Sequence, residues 1–232
     1  MNNHFNKFKK FTILFMVIFV LDTMAANYLG EMRLITKPMI MASLIGLYIF
    51  EVRERQSRWL IVGMITAMVG DILLVFPDDS FFMAGLISFL VMQLSYSLDF
   101  NTYYEKKTGA LKYAMYALLG ISLVFLGLGV GKLGSMVVPV ILYTFAILGM
   151  AILGLSRWRT QNLYHPVAWG VILFVISDLL LATNKFLFEI PAAGFAVMLS
   201  YVAAQYFIIT GCIADEHKVA ALRALQSKKS KK

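Results

Sequence analysis

Two aspartates, Asp71 and Asp178, stand in the middle of apolar runs that otherwise read as membrane-spanning sequence. The first run is "MVGDILLVF" and the second is "VISDLLLAT". A carboxyl at the centre of a membrane helix costs at least about 2.5 kcal/mol on insertion scales, so such residues face the bundle interior and commonly mark chemistry or transport. Apolar surroundings disfavour the ionised form, and two neighbouring carboxylates repel each other. We therefore expect one protonated acid beside one carboxylate.

An acid beside a carboxylate suits two kinds of function. It suits acid-catalysed cleavage through an oxocarbenium-like state, as in glycoside hydrolysis. It suits equally a proton-coupled transporter, in which carboxyls relay protons across the membrane. A structural ion pair of either aspartate with Lys37 or Lys185 is the alternative without function. The residues alone leave these possibilities open.

Further polar side chains lie within or just beyond the apolar runs. Buried hydroxyls and amides need hydrogen-bond partners, so these residues either line a polar cavity or bond across helices. Asn184 and Lys185 follow Asp178 closely and could cap such a cavity. The candidate binding residues are Asp22, Lys37, Gln93, Tyr96, Tyr143, Asn184, Lys185, Tyr201 and Gln205.

Other hydrolytic chemistries lack the residues they need. The histidines His4, His165 and His217 fall at or beyond the ends of apolar runs, and the sequence has no HExxH motif or Cys/His cluster. We therefore expect no metal site. No GxSxG motif is present, which argues against a serine hydrolase. The glycine-rich stretch at 127–134 lacks a Walker pattern, and we expect no cofactor.

Composition indicates a membrane protein. Of 232 residues, 60% are hydrophobic and 15% are charged, whereas soluble domains are about half apolar and about a quarter charged. We predict an all-α protein with one eight-span membrane domain over residues 1–214, followed by a basic cytoplasmic tail over residues 215–232. The predicted spans cover residues 11–29, 36–50, 59–76, 81–100, 111–131, 135–156, 164–184 and 190–214.

The basic residues support this span count. Under the predicted topology, 17 Lys and Arg residues lie on the side of the two termini and 4 lie on the other side. The positive-inside rule then places both termini in the cytoplasm. The net charge of +8 is mostly a consequence of topology. We expect an integral protein of a bacterial inner membrane, with membrane lipids as partners and no nucleic acid.

The two aspartate runs belong to a longer similarity within the chain. Beyond each aspartate, "QLSYSLDF" at 93–100 aligns with "MLSYVAAQ" at 198–205. We therefore predict two parallel four-helix repeats, over residues 11–100 and 111–214. In parallel repeats the equivalent residues face each other at the same depth in the membrane.

Four short motifs resemble the lysoplasmalogenase family of eight-span membrane proteins, also called YhhN-like. They are "RLITKPM" (33–39), "GDILL" (70–74), "SDLLLATNKF" (177–186) and "YVAAQYFI" (201–208). The resemblance implies a membrane hydrolase that cleaves the vinyl ether bond of lysoplasmalogens, giving a fatty aldehyde and a glycerophospho-base. Its substrate is then a lysophospholipid. One departure is Gln93, where the family often has histidine; an amide cannot shuttle protons near pH 7.

This chemistry agrees with the pair of carboxyls. A vinyl ether is cleaved by protonating its β-carbon, which gives an oxocarbenium ion that water traps. Our hypothesis makes one of Asp71 and Asp178 the acid, while the other stabilises the cation and activates water. Lys37 and Lys185 would hold the phosphate, and the alkenyl chain would lie between helices. The alternative is a proton-coupled transporter or a lipid-binding membrane protein that uses the same aspartates.

Overall fold

The computed structural model describes residues 2–53, 56–102, 109–157 and 166–230. These residues form eight α-helices and no strand, which confirms the all-α class. The helices are α1 (Asn2–Tyr28), α2 (Arg33–Glu51), α3 (Arg58–Leu73), α4 (Asp79–Asn101), α5 (Gly109–Gly129), α6 (Val137–Ser156), α7 (Pro166–Ala182) and α8 (Ala193–Ser230). Each predicted span therefore coincides with one helix, in the predicted order.

Six stretches of the described helices are long and apolar enough to cross a membrane. They are Lys9–Tyr28, Gly30–Glu51, Asp79–Asn101, Gly134–Ser156, Pro166–Leu187 and Ala193–Ser227. Helix α3 has 16 residues, which is below the roughly 20 residues that span a bilayer core. The apolar described part of α5 is Tyr116–Gly129. Length and composition thus support a multi-pass membrane protein with six candidate spans among the described helices, and the count of eight spans stays a prediction.

The sequence sets several helix ends by local capping. The Ser57 hydroxyl accepts from the Leu60 backbone N–H at 3.3 Å and begins α3. The Asp78 carboxylate accepts from the Ser80 N–H at 2.7 Å and begins α4. This backbone bond holds the pKa of Asp78 below its ordinary value. Helix α7 continues into a single π-helical turn over Thr183–Leu187. Such turns are rare and often occur at functional sites.

Each of the two helices that carry Asp71 and Asp178 has a glycine at which it packs closely on the next helix of the chain. Gly63 of α3 lies under the ring of Tyr96 in α4, and Gly170 of α7 lies against the backbone of α8. Each glycine stands eight residues before its aspartate. Helix α2 also packs on α8, and α6 packs on α4. The two halves therefore use corresponding helix contacts.

A second polar cluster lies at the end of the bundle where α4 and α6 terminate. The Arg157 guanidinium is 1% exposed and donates to the Asp215 carboxylate at 2.6 Å. Its other terminal nitrogen lies 4.0 Å from Asp99. Asp215 makes this contact within α8, which continues through Ser230 and so extends beyond the predicted eighth span, whose end was placed at residue 214.

Candidate active site

A cavity of about 350 Å³ opens where α3 and α7 end and where α2, α4 and α8 begin. Both membrane aspartates line it, although they are far apart in the sequence. Six of the predicted site residues reach its wall: Lys37, Asp71, Asp178, Asn184, Lys185 and Tyr201. The structure therefore brings the two carboxyls and two of the predicted cations to the wall of one open cavity.

Asp71 is almost fully buried, at 2% exposure. Its Oδ2 accepts a hydrogen bond of 2.7 Å from the Tyr201 hydroxyl. The rings of Phe89 and Phe174 pack against the Tyr201 ring at centroid distances of 5.9 and 6.0 Å and hold it in place. The Lys37 ammonium attracts the Asp71 carboxylate, and desolvation works against the charge. Asp71 is thus fixed by one hydroxyl and faces one buried cation.

Asp178 has a different environment. Its Oδ2 accepts from the Tyr143 hydroxyl at 2.7 Å and from the Gln93 Nε2 at 3.4 Å. The side chain is only half-buried. Within the described part of the chain, no cation attracts Asp178 as Lys37 attracts Asp71. Desolvation without a countercharge favours the neutral form of a carboxyl.

Asp178 also borders a second, narrower cleft. This cleft has a volume of about 80 Å³ and lies among α5, α6 and α7. Apart from Tyr143, Thr144, Ser122 and Asp178, its walls are apolar. The cleft and the larger cavity share Phe82, Asp178 and Leu181, so the two spaces meet at the carboxyl.

Four predicted binding residues do not line either space in the described structure: Asp22, Gln93, Tyr96 and Gln205. The Tyr96 hydroxyl donates to Gln205 Oε1 at 3.0 Å, which links α4 to α8 in the core. Asp22 accepts from the Thr36 hydroxyl at 2.9 Å, which links α1 to α2. These contacts are the helix-to-helix bonds that the sequence left as the alternative to cavity lining. Substrate binding by these residues stays a prediction.

Two polar residues of the π-helical turn, Asn184 and Lys185, already make contacts within the protein. Asn184 Oδ1 accepts from the Ile190 backbone N–H at 2.9 Å and so shapes the loop before α8. Lys185 Nζ lies 2.6 Å from Asp79 Oδ1, at the rim of the cavity. Sequence reasoning missed Arg33, which lines the cavity as well. Its spacing of four residues before Lys37 places both on one helix face, and this signal was available.

Comparison with known proteins assigns the chain to a family. The model of the YhhN family matches residues 32–212, so the chain belongs to this family, as the sequence motifs indicated. Lysoplasmalogenase TMEM86A of Bos taurus is 29% identical over 173 residues, covering 72% of this chain and 70% of the relative. The Homo sapiens TMEM86A is 29% identical over 172 residues, covering 70% and 68%. Lysoplasmalogenase TMEM86B of Mus musculus is 30% identical over 160 residues, covering 68% and 66%. No solved structure matches the chain.

Proposed function

We propose that this protein is an integral-membrane hydrolase that cleaves the vinyl ether bond of lysoplasmalogens to a fatty aldehyde and a glycerophospho-base. The observation that carries the proposal is that Asp71 and Asp178 line one cavity between helices. Relatives named lysoplasmalogenase support the same activity at about 30% identity. The carboxyl pair and these relatives therefore point to one reaction class.

In this mechanism Asp178 is the general acid. Lys37 favours the ionised form of Asp71, whereas Asp178 has no comparable countercharge among the described residues. We therefore assign the role of the acid to Asp178 and the role of the carboxylate to Asp71, which lines the cavity together with Lys37. Asp178 also lies where the cavity meets the apolar cleft. A vinyl ether bond, which joins a hydrocarbon chain to a polar glycerol, fits this junction.

The reaction then proceeds in two stages, which are formation of a hemiacetal and its collapse. Asp178 gives its proton to the β-carbon of the vinyl ether, and the α-carbon becomes an oxocarbenium ion. The Asp71 carboxylate stabilises this cation and takes a proton from a water molecule, whose oxygen bonds to the α-carbon. The hemiacetal collapses as Asp178 accepts its hydroxyl proton and Asp71 protonates the leaving glycerol oxygen. Both carboxyls return to their starting states.

The two spaces suit the two ends of a lysophospholipid. The apolar cleft among α5, α6 and α7 takes the part of the alkenyl chain next to the vinyl ether, and the larger cavity takes the glycerophospho-base beside Lys37. Tyr143 orients Asp178, and Tyr201 orients Asp71. Because the sites sit among helices, the substrate enters from the surrounding membrane lipid.

The proposal includes the topology expected from the sequence. Eight spans in two parallel repeats would bring the equivalent aspartates together at one depth. The corresponding packing of α3 on α4 and of α7 on α8 supports a repeat. The excess of basic residues on one side supports cytoplasmic termini. Residence in a bacterial inner membrane stays a prediction.

A single assay tests the function. Detergent-purified protein is incubated with lysoplasmalogen, and free aldehyde is measured alongside matched saturated-ether and ester lysolipids. We expect aldehyde from the vinyl ether and no product from the saturated ether. Release of fatty acid from the ester would redirect the proposal to another lysolipid hydrolase. If none of the substrates turns over, the alternative of a transporter or lipid-binding protein replaces the enzyme.

A further inference from the structure

Arg33 gives the cavity a cation that the mechanism does not use. It lies in the first turn of α2 and lines the cavity together with Lys37. Its Nε is buried and has no hydrogen-bond partner among the described residues. A buried donor without a partner carries a desolvation cost. Arg33 therefore presents a donor that a ligand could satisfy.

The two cations of α2, Arg33 and Lys37, are neighbours on one face of the helix. Arg33 and Lys37 lie four residues apart, about 6 Å along the helix axis, and their charges repel. Lys37 is the more strongly coupled of the two to Asp71. Along α2, Arg33 lies one helical turn nearer the start of the helix than Lys37. An anion beside Arg33 and Lys37 would relieve their repulsion.

Lys185, the other cation at the cavity, is already paired. Its ammonium lies 2.6 Å from the Asp79 carboxylate and 5.0 Å from the centroid of the Phe82 ring. Part of the charge of Lys185 is thus already balanced by Asp79, whereas the Nε of Arg33 has no hydrogen-bond partner among the described residues. This difference between Arg33 and Lys185 favours an anion site formed by α2 over one formed by the π-helical turn.

We propose that Arg33, together with Lys37, forms a subsite for the phosphodiester anion of the lysolipid. The inference rests on the proposed function and deepens it, because it assigns the headgroup to Arg33 in place of Lys185. A guanidinium binds phosphate oxygens through paired N–H donors. The spacing along α2 also suits the short glycerol unit between the phosphate and the vinyl ether, which then reaches the aspartates.

Binding of unreactive lipids tests this subsite without depending on turnover. The probes are a saturated 1-alkyl lysophospholipid and the matching 1-alkylglycerol, which lacks phosphate. We expect Arg33→Gln to weaken binding of the lysophospholipid at least tenfold and to leave the alkylglycerol unchanged, because one charge-assisted contact is lost. Arg33→Lys should restore part of the affinity. Lys132→Gln removes an exposed cation outside the cavity and is the matched control.

The outcomes separate this proposal from the proposed function. Equal weakening for both lipids, or no weakening, would overturn the subsite. A third arm measures inorganic phosphate; binding of free phosphate as tight as that of the lysophospholipid would assign the site to a soluble anion instead. The vinyl ether assay on the wild-type protein reports on the hydrolase activity separately. A protein without turnover could still show the Arg33-dependent difference, and a hydrolase could lack it.

Discussion

Removing the hydroxyls of the two tyrosines that bind the aspartates should have different effects. One variant should mainly lose activity, and the other should mainly lose stability. Tyr143→Phe removes the 2.7 Å bond to Asp178, and Tyr201→Phe removes the 2.7 Å bond to Asp71. A hydrogen bond to a neutral group contributes about 0.5–1.5 kcal/mol, and one to a charged group contributes about 1.5–3 kcal/mol. Only an interaction that strengthens in the transition state changes the rate.

The magnitudes follow from the two protonation states. Asp178 becomes charged as it gives up its proton, so the Tyr143 bond strengthens by about 1–1.5 kcal/mol, which is about five- to tenfold in kcat/KM. Asp71 is already charged before Asp178 gives up its proton and stays charged during that step, so loss of the Tyr201 bond changes the rate of that step less. That loss should instead destabilise the folded protein by about 1.5–3 kcal/mol. The ring of Tyr201 keeps its contacts with Phe89 and Phe174 in the variant.

The assay combines aldehyde release with thermal unfolding of both detergent-purified variants. We expect Tyr143→Phe to show the larger loss of kcat/KM and Tyr201→Phe to show the larger fall in melting temperature. The reverse pattern would make Asp71 the acid. If neither variant changes rate or stability, the tyrosines do not act on the carboxyls as described.

Three further predictions test the packing, the second polar cluster and the chemistry. Gly170→Ala places a Cβ 2.9 Å from the Ala204 carbonyl oxygen and should lower the melting temperature, while Gly46→Ala meets no atom within 4 Å and should not. Arg157→Met removes the buried guanidinium from the buried Asp99 and the half-buried Asp215 and should cost about 3–5 kcal/mol in denaturant unfolding; an unchanged midpoint would contradict this. Hydrolysis in D2O should put one deuterium on the carbon beside the aldehyde, and its absence would exclude protonation of the β-carbon.

The sequence predicts the aspartates well because the cost of a carboxyl in lipid is itself informative. Apolar runs also predict the order of all eight helices. The short span of α3 appears only in the structure, since the residues after Leu73 leave the helix while the apolar run continues to Phe76. Hydropathy indicates whether a segment prefers lipid to water, but it does not show at which residue the helix ends.

The partners of the aspartates could not be predicted. Tyr201 and Asp71 are separated by 130 residues, and Lys185 and Asp79 are separated by 106. No local periodicity relates positions so far apart, because their contact depends on how the helices pack. Arg33 was counted only as a loop charge on one side of the membrane. The sequence thus identified the two carboxyls that line the cavity, while their hydrogen-bond partners required the structure.

The central claim is that Asp71 and Asp178 act together at one vinyl ether bond. The most direct measurement is kcat/KM for lysoplasmalogen with Asp71→Asn and Asp178→Asn, each checked for folding by its melting temperature. We predict that both variants stay folded and that Asp178→Asn loses about 10²- to 10⁴-fold, as expected for removal of a general acid. Asp71→Asn should lose at least about 100-fold, since the same group takes the proton from water. Full hydrolysis by both variants would contradict the account.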